Sequence, residues 1–370
     1  MTEQEAYVAF NLTDRIGSIG VDRLVESFGS VAEAWERYPN KISRLGGEVD
    51  WKGEYAKAKS FGVTILTPAD ADYPDILRQT RGRPLVLYVK GNVKALSLPS
   101  IAIIGTRRAT VYGLDQSNRF GYDLAAAGWC IVSGLATGID AEAHRGALSA
   151  GGTTVGVLGS ALDRFFPEEN RELAREMVEK GGAVISEFPF GREPDTKTFP
   201  QRNHVVAALS RGVIAVESPI KSGTLITTGI AADLGRTVMA VPARIDMPRS
   251  AGCLQLIRDG AVLVRGVADV REAMSELFPA MPKCNSHIPQ SAVAPKKEPR
   301  DDAAPRSVVT LEESMILREV GEEGVSMDRL VAATGFPAGK VSSLCMGLRL
   351  KEMLRYLPGN RVALPRKHGD

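Results

Sequence analysis

The stretch IAIIGTRRATVYGLDQSNRFG, residues 101–121, decides the fold of this chain. Residues 101–104 are a short apolar run ending at Gly105, and a helix-like segment resumes near Gly113. Strand, tight turn and helix in that order open a nucleotide-binding unit, where a dinucleotide-binding turn would read G-x-G-x-x-G. This turn carries Thr106, Arg107, Arg108 and Thr110 instead. Two arginines stand where a cofactor fold places two more glycines.

The pattern repeats outward. Apolar strand candidates fall at 101–105, 130–134, 153–159, 183–187, 213–217, 237–241 and 261–264. Amphipathic helices separate them. In the helix at 170–180, Leu173, Ala174, Met177 and Val178 share a face, and Gly181 ends it. Near-continuous apolar strands alternating with helices predict a parallel sheet covered on both faces. Residues 62–279 are therefore expected to form a doubly wound, Rossmann-like α/β domain. Two strand-like runs in TILTPADADYPDILRQTRGRPLVLYVKG, residues 64–91, extend the same sheet.

Two smaller modules flank this domain. Residues 1–61 read as short helices: Leu24, Val25 and Phe28 recur at helical spacing, Gly29 stops the helix and Ser30 caps the next. IGSIG at 16–20 approaches the apolar-x-Gly-apolar-Gly hairpin of a phosphate-binding helical pair, with Ser18 where the first glycine belongs. A structural helical module, SAM-like or helix-hairpin-helix-like, is the expectation. Residues 280–307 hold five prolines and mixed charges without periodicity and read as a linker. In 308–370, three helices precede a ribbon in which 354–357 and 361–364 pair across Pro358-Gly359-Asn360, the winged-helix arrangement. Its third helix, 338–352, turns Val341, Leu344, Leu348 and Met353 to the core. It offers only Lys340, Arg349 and Lys351 as cations, a thin set for reading duplex DNA.

The totals set limits. A chain of 370 residues suits two or three domains. A formal charge of +2 is too mild to name a partner, so binding to nucleic acid requires locally gathered cations. Cys130, Cys253, Cys284 and Cys345 are scattered without a C-x-x-C pair, which suggests neither disulfides nor zinc. The first ten residues carry two glutamates and no apolar h-region, and no run approaches the roughly 18 apolar residues of a membrane span. A cytoplasmic protein is expected.

Chemistry is sought beyond the C-terminal ends of the strands, where open α/β sheets bind ligands. The loops there are GTRRAT, SGLATGID, GSALDRFFPEEN, EFPFGREPDTKTFPQRN and ESPIKSGTLIT. They bring Arg107, Arg108, Lys197, Arg202 and Lys221 to one rim, among glycines that expose backbone N–H groups. Cations, open amides and helix N-termini together make anion sites, and several in a row suit a chain of phosphates. KSGT at 221–224 is not a Walker motif, and Ser222 or Thr224 is a candidate cap for the helix that follows. Asp140 and Asp163 are expected to cap helices or hold turns. Ser133, Asp140 and His144 lack the G-x-S-x-G elbow, so His144 is expected to be a packed histidine. His204, His287 and His368 are too dispersed for a metal site. Neither a catalytic residue, a metal nor a cofactor is expected.

The series GTRRATVYG, SGLATGIDAEAHRGAL, VGVLGSALDRFFPEENREL, SEFPFG, FPQRNHVVAALS, KSGTLITTGIAADLGRTVMAVPARID and SAGCLQLIRDGAVLV resembles the bacterial DNA-processing protein A family, also called Smf. The match runs through nearly the whole central domain, and the flanking modules resemble those of the longer members. The resemblance implies a single-stranded DNA-binding recombination mediator rather than an enzyme. It further implies a homodimer formed through the Rossmann-like domain and loading of RecA recombinase during natural transformation. Arg107, Lys197 and Lys221 match the family's DNA-contacting places. The full candidate binding set is Arg107, Arg108, Gly134, Lys197, Arg202, Asn203, Lys221, Ser222, Gly223 and Thr224. His204 stands where the family has arginine, PARIDMP replaces a glycine-bearing VPG, and Cys253-Leu254 replaces [TC]N.

A polynucleotide ligand, as the resemblance implies, would account for Arg107 and Arg108 in that turn. A pyrophosphate needs backbone to approach closely, whereas a polynucleotide tolerates side-chain length and needs repeated charge. Arginine grips phosphate bidentately and stacks on bases. Phe120, Phe166 and Phe199 are candidate stacking platforms, each weighed against a place in the core. Glu168 and Glu169 would repel a strand passing close by. The principal alternative is a Rossmann-fold nucleotide phosphoribohydrolase, although its PGGxGT loop is absent. A nicotinamide-dependent oxidoreductase and a duplex-reading transcription factor fit less well.

Overall fold

The apolar runs become the strands of one sheet. The structure, a computed structural model, describes residues 1–13, 16–39, 41–44, 46–275, 310–321, 324–351, 353–357 and 361–364. The expected linker at 280–307, the turn Pro358-Gly359-Asn360, and Cys284, His287 and His368 lie outside the described residues. The chain separates into two units, Met1–Asn285 and Ser286–Asp370.

In the first unit the strands are β1 (Thr64–Leu66), β2 (Leu87–Gly91), β3 (Ser100–Ile104), β4 (Cys130–Ser133), β5 (Thr154–Val157), β6 (Ala183–Ser186), β7 (Gly212–Ala215), β8 (Thr237–Ala240) and β9 (Val262–Leu263). Their order is β1-β2-β6-β5-β4-β3-β7-β8-β9. From β6 to β9 every pairing is parallel. The upstream runs do extend the sheet, but antiparallel: β2 pairs with β6 through Tyr88↔Ser186, and β1 caps β2.

The helices are α1 (Glu3–Leu12), α2 (Ser18–Phe28), α3 (Val31–Arg37), α4 (Trp51–Phe61), α5 (Asp75–Arg78), α6 (Val111–Ala126), α7 (Ile139–Ser149), α8 (Arg171–Glu179), α9 (Thr198–Leu209), α10 (Gly223–Asp233), α11 (Ala251–Arg258) and α12 (Val267–Met274). Strand residues alternate between the two faces because successive Cβ atoms point oppositely. Ile101, Ile103 and Ile131 pack on Phe120 and Leu124 of α6, with Met274 of α12. Ala102, Ile104 and Val132 pack on Val205, Val206 and Leu209 of α9, with Ala231 of α10. α6 and α7 cross closely because Gly121 meets the carbonyl of Ala143 and Gly146 meets that of Asn118.

The helical module is built onto this sheet. Thr2 and Glu5 form a capping box on α1, Gly29 ends α2 at φ 92°, and Ser30 Oγ accepts from Glu33 N. Its core, with Phe10 and Trp35 at 5.1 Å, runs on into Val86, Tyr88 and Phe190 of the α/β layer. Phe61 stacks on Phe190 at 5.3 Å, and buried Glu54 accepts from Phe190 N at 2.8 Å. One apolar core thus spans the position where composition changes near Phe61.

The second unit contains α13 (Leu311–Glu319), β10 (Val325–Ser326), α14 (Met327–Thr334), α15 (Ala338–Leu350), β11 (Arg355–Leu357) and β12 (Arg361–Ala363). The ribbon forms with Tyr356 opposite Val362, and β10 pairs on the other side of β12. Val341 and Leu348 are fully buried, as expected. Two cations of α15 or its end are spent internally: Lys340 on Glu312 at 2.5 Å and Lys351 on Glu313 at 2.6 Å. Among the described residues no helix is long and apolar enough to cross a membrane.

A side chain at 146 would drive α7 off α6. Gly146→Val is expected to lower the stability of the first unit by at least about 2 kcal/mol, read from urea unfolding. Gly151→Ala, where nothing lies within 4 Å of the added carbon, serves as the loop control, with only the strain of φ 68°.

Candidate nucleic-acid interface

β3 lies between β4 and β7, and the helices that leave β3 and β7 go to opposite faces of the sheet. Diverging loops open a crevice at such a reversal. Here it is a cavity of about 370 Å³ lined by residues 104–108, Gly134, Ala136, Asp140, Phe199, Arg202, Asn203, Val206, Ser222, Gly223, Thr224 and Thr227. Eight of the ten candidate residues meet there.

The Arg107–Arg108 loop is held from β7. Glu217, 1% exposed, accepts from Thr106 N through its carbonyl at 2.8 Å. Its Oε2 accepts from Thr110 N at 2.8 Å and from Thr110 Oγ1 at 3.1 Å. Thr110 Oγ1 in turn accepts from Gly113 N and caps α6. From the other side, Gly138, at φ 81°, lies flat over the carbonyls of Thr106 and Arg107, where any side chain would collide. The loop is fixed while both arginine side chains stay exposed. Arg107 rests over the Phe199 ring, 4.7 Å to its centre, and Phe166 lies 6.2 Å beyond. Phe166 is 44% exposed and Phe120 only 2%, so two of the three aromatic candidates line the site and the third is core. A second cavity, about 170 Å³, shares Arg107 and Phe199 and adds Thr137, Phe166, Pro167 and Glu169. Glu168 is occupied by Arg171 at 2.6 and 2.7 Å.

Arg202 is not a rim cation. It is 5% exposed, and its Nη1 donates to the carbonyls of Gly134 and Val157, tying the ends of β4 and β5 to α9. Its Nε donates to Asn203 Oδ1 at 3.1 Å, which turns the Asn203 amide nitrogen away from it. Burial brings the guanidinium down to about 10, against the pull of Asp140 and with help from Arg107. Burial likewise raises Asp140, and Arg202 opposes the rise. Gly134 is required here because a side chain would strike the guanidinium. Leu135 adopts the left-handed region at φ 54°, rare for a non-glycine residue, with its carbonyl held by Asn170 Nδ2 at 2.8 Å.

Lys197 and Lys221 lie outside the cavity wall, both exposed. Lys197 precedes α9, with its N–H on Asp195 Oδ1 at 2.7 Å. Lys221 precedes Ser222, whose Oγ caps α10 through Leu225 N and pairs with Ser218 Oγ at 2.6 Å. Gly223 and Thr224, the first residues of α10, line the same crevice, and the first turn of a helix carries backbone N–H groups without an intrahelical partner. His204 does not join the crest. One helical step beyond Asn203, it lines a separate cavity with Gly82, Arg83 and Glu187, and burial lowers its pKa. Asp163 holds a turn, accepting from Gly191 N.

His144 is fully buried, as expected. Thr154 Oγ1 donates to the Ile131 carbonyl at 2.7 Å, so it accepts from His144 Nδ1–H at 2.6 Å. Burial lowers the imidazole to about 3. Ser133 Oγ donates to the Ile103 carbonyl at 2.6 Å, away from any reacting position. Glu217 and Asn170 escaped the sequence reading. The signal for Glu217 was a carboxylate closing an apolar strand, VIAVE.

These features define a Rossmann-like α/β protein whose sheet carries a crevice lined by Arg107, Arg108 and the start of α10 at its topological reversal. Residues 64–275 match the family described as DNA recombination-mediator protein A, and 296–360 match the DprA winged helix domain. The chain belongs to the DNA recombination-mediator protein A family. It is 31% identical to Protein Smf of Synechocystis, over 97% of this chain and 98% of that one. The X-ray structure of DNA processing protein A from Streptococcus pneumoniae superposes with a TM-score of 0.62 at 31% identity, covering 74% of this chain and 98% of that one. The Helicobacter pylori homologue, described for its single-stranded DNA binding mode, gives 0.52 at 28% identity over 58% and 96%.

Two measurements separate structural from available groups. Arg202→Ala leaves the Gly134 and Val157 carbonyls without their donor and removes the charge that offsets buried Asp140, and is expected to cost about 3 kcal/mol or more in urea unfolding. Arg107→Ala is expected to cost under about 1 kcal/mol, the scale of its contact with Phe199. The second measurement concerns pH. Folded His144 stays neutral to about 3 while the unfolded imidazole protonates near 6.5. The contribution is complete above pH 6.5 and falls as pH drops toward 3, by up to about 1.4 kcal/mol per pH unit. His144→Gln is expected to flatten that slope in unfolding curves taken between pH 7 and 4.

Proposed function

We propose that the crest binds the phosphates of single-stranded DNA and that the chain is a recombination mediator without catalytic turnover. In this reading it acts in the cytoplasm as a homodimer, protects incoming single strands and hands them to a RecA recombinase, as in natural transformation. Residues 62–279 bind the strand. The helical module at 1–61 and the winged helix at 308–370, beyond the linker at 280–307, flank them.

The observation that carries the reading is the loop of Arg107 and Arg108. It is clamped by Glu217, and neither arginine has an ion pair among the described residues. Lys197 and Lys221 are exposed immediately before α9 and α10, whose first turns line the crevice, and Phe199 and Phe166 supply ring faces. A cationic groove with stacking faces suits single strands of any sequence. The name of the Helicobacter pylori relative, which specifies single-stranded DNA binding, supports the same ligand. Against turnover, two members of the Ser-His-Asp grouping near SGLATGID are committed elsewhere: His144 to Thr154 and Ser133 to Ile103. For the homodimer, β9 ends the sheet with Val262 and Leu263 about 40% exposed, an open apolar edge that a second copy would cover.

Anisotropy titration of single-stranded and duplex oligonucleotides across a salt series tests the reading. Single strands are expected to bind more tightly, with log K falling linearly in log salt as counterions are released. Arg107→Ala and Lys221→Ala are each expected to weaken binding without regard to base sequence and to reduce the slope by about 0.7. Equal affinity for duplex, or indifference to both substitutions, contradicts it.

A further inference from the structure

The crest does not end at Arg108. β8 stands beside β7, and its C-terminal loop, residues 241–250, opens on the same edge of the sheet. The first turn of α6 leans on that loop, with Tyr112 Oη donating to the Pro242 carbonyl at 3.0 Å. The bond fixes the ring yet leaves Tyr112 42% exposed, beside Val111 at 75%. Three residues past Pro242, Ile245 is 92% exposed. Arg244 and Asp246 clasp each other across it, Nε to Oδ1 at 3.0 Å and Nη2 to Oδ2 at 2.5 Å, cancelling their charges and leaving Ile245 projecting between them. Arg249, further along the loop, is exposed and has no ion pair among the described residues. Asp115, one turn along α6 from Val111, is exposed and bounds the patch against a polyanion.

We propose that this patch is a second stacking platform for the same strand. Nucleobases neighbouring those held at Arg107 and Lys221 lie against Tyr112 and Ile245, and Arg249 takes a phosphate. The proposal rests on the reading of the crest as a single-strand site. Two features favour a single strand as occupant. The patch adjoins the crevice along the chain, since only Ala109 and Thr110 separate Arg108 from Val111. It also combines exposed apolar side chains, Tyr112 and Ile245, with an exposed cation, Arg249, on the same loop as Ile245, and an unpaired strand likewise offers both bases and phosphates. A duplex keeps its base faces inside and offers nothing to an exposed ring. With its hydroxyl spent on Pro242, Tyr112 presents a preset face, and ring stacking accepts any base.

The test uses the full chain and oligothymidylates of increasing length, each carrying one 5-iodouracil at a scanned position. Tyr112→Ala is expected to weaken long oligomers about tenfold and to leave the shortest bound oligomers unchanged. Tyr112→Phe, which keeps the ring, is expected to stay within about twofold of wild type. Irradiation is expected to join an iodouracil to Tyr112 at a position distinct from the one that reaches Phe199. If Tyr112→Ala matches wild type at every length and Tyr112 is never cross-linked while Arg107→Ala still weakens binding, the platform is overturned and the crest stands. Indifference to Arg107→Ala as well overturns the crest reading itself. A change in sedimentation of Tyr112→Ala with unchanged DNA affinity also overturns the platform, assigning the patch to contact between copies.

Discussion

A buried carboxylate at the end of a central strand carries the arrangement on which the rest depends. Glu217 joins the β3 loop to β7 through Thr106 and Thr110, at the place where the sheet reverses its winding. Charged side chains on a loose loop lose entropy when they bind, and that loss offsets much of the gain. With the backbone held, Arg107 and Arg108 remain solvated and positioned at once. Arg202 performs the complementary work below them. Its guanidinium closes the ends of β4 and β5, so the neighbouring loops converge instead of splaying. One arginine builds the crevice and two others are left for a ligand.

Much of this was legible in the chain. Every central strand fell within a few residues of its sequence-based range, because a parallel strand buried on both faces must be apolar along its length. The antiparallel sense of β2 was not legible. A short apolar run says nothing of its direction until it finds β6. Arg202 and Arg107 look alike in sequence, each beside a strand end, and only the carbonyls of Gly134 and Val157 decide that one is buried. Phe120 and Phe199 were equally ambiguous until packing placed one in the core and one beneath Arg107. His204 follows Asn203 directly, yet one residue turns a helix by about 100°, enough to send it to another cavity. The continuous core joining Phe61 to Phe190 was hidden because the two rings are far apart in the chain.

The small net charge of +2 is consistent with a localised site. Many cations are cancelled by neighbours, Arg83 on Asp22, Arg171 on Glu168, Arg265 on Asp269 and, in the winged helix, Lys340 on Glu312. Where such a pair is exposed, as for Arg171 with Glu168, it contributes little to stability. The effect of the pairs is to reduce the field that each of these cations projects into solvent. In the winged helix, Lys340 and Lys351, at the start and end of the third helix, are held by Glu312 and Glu313.

The most direct measurement is a crystal structure of the chain with a short oligothymidylate. Phosphates are expected within hydrogen-bonding reach of Arg107, Arg108 and the first amides of α10, with a base against Phe199. An oligonucleotide seated on the winged helix or on another face of the sheet, with the crevice between β3 and β7 empty, would contradict it.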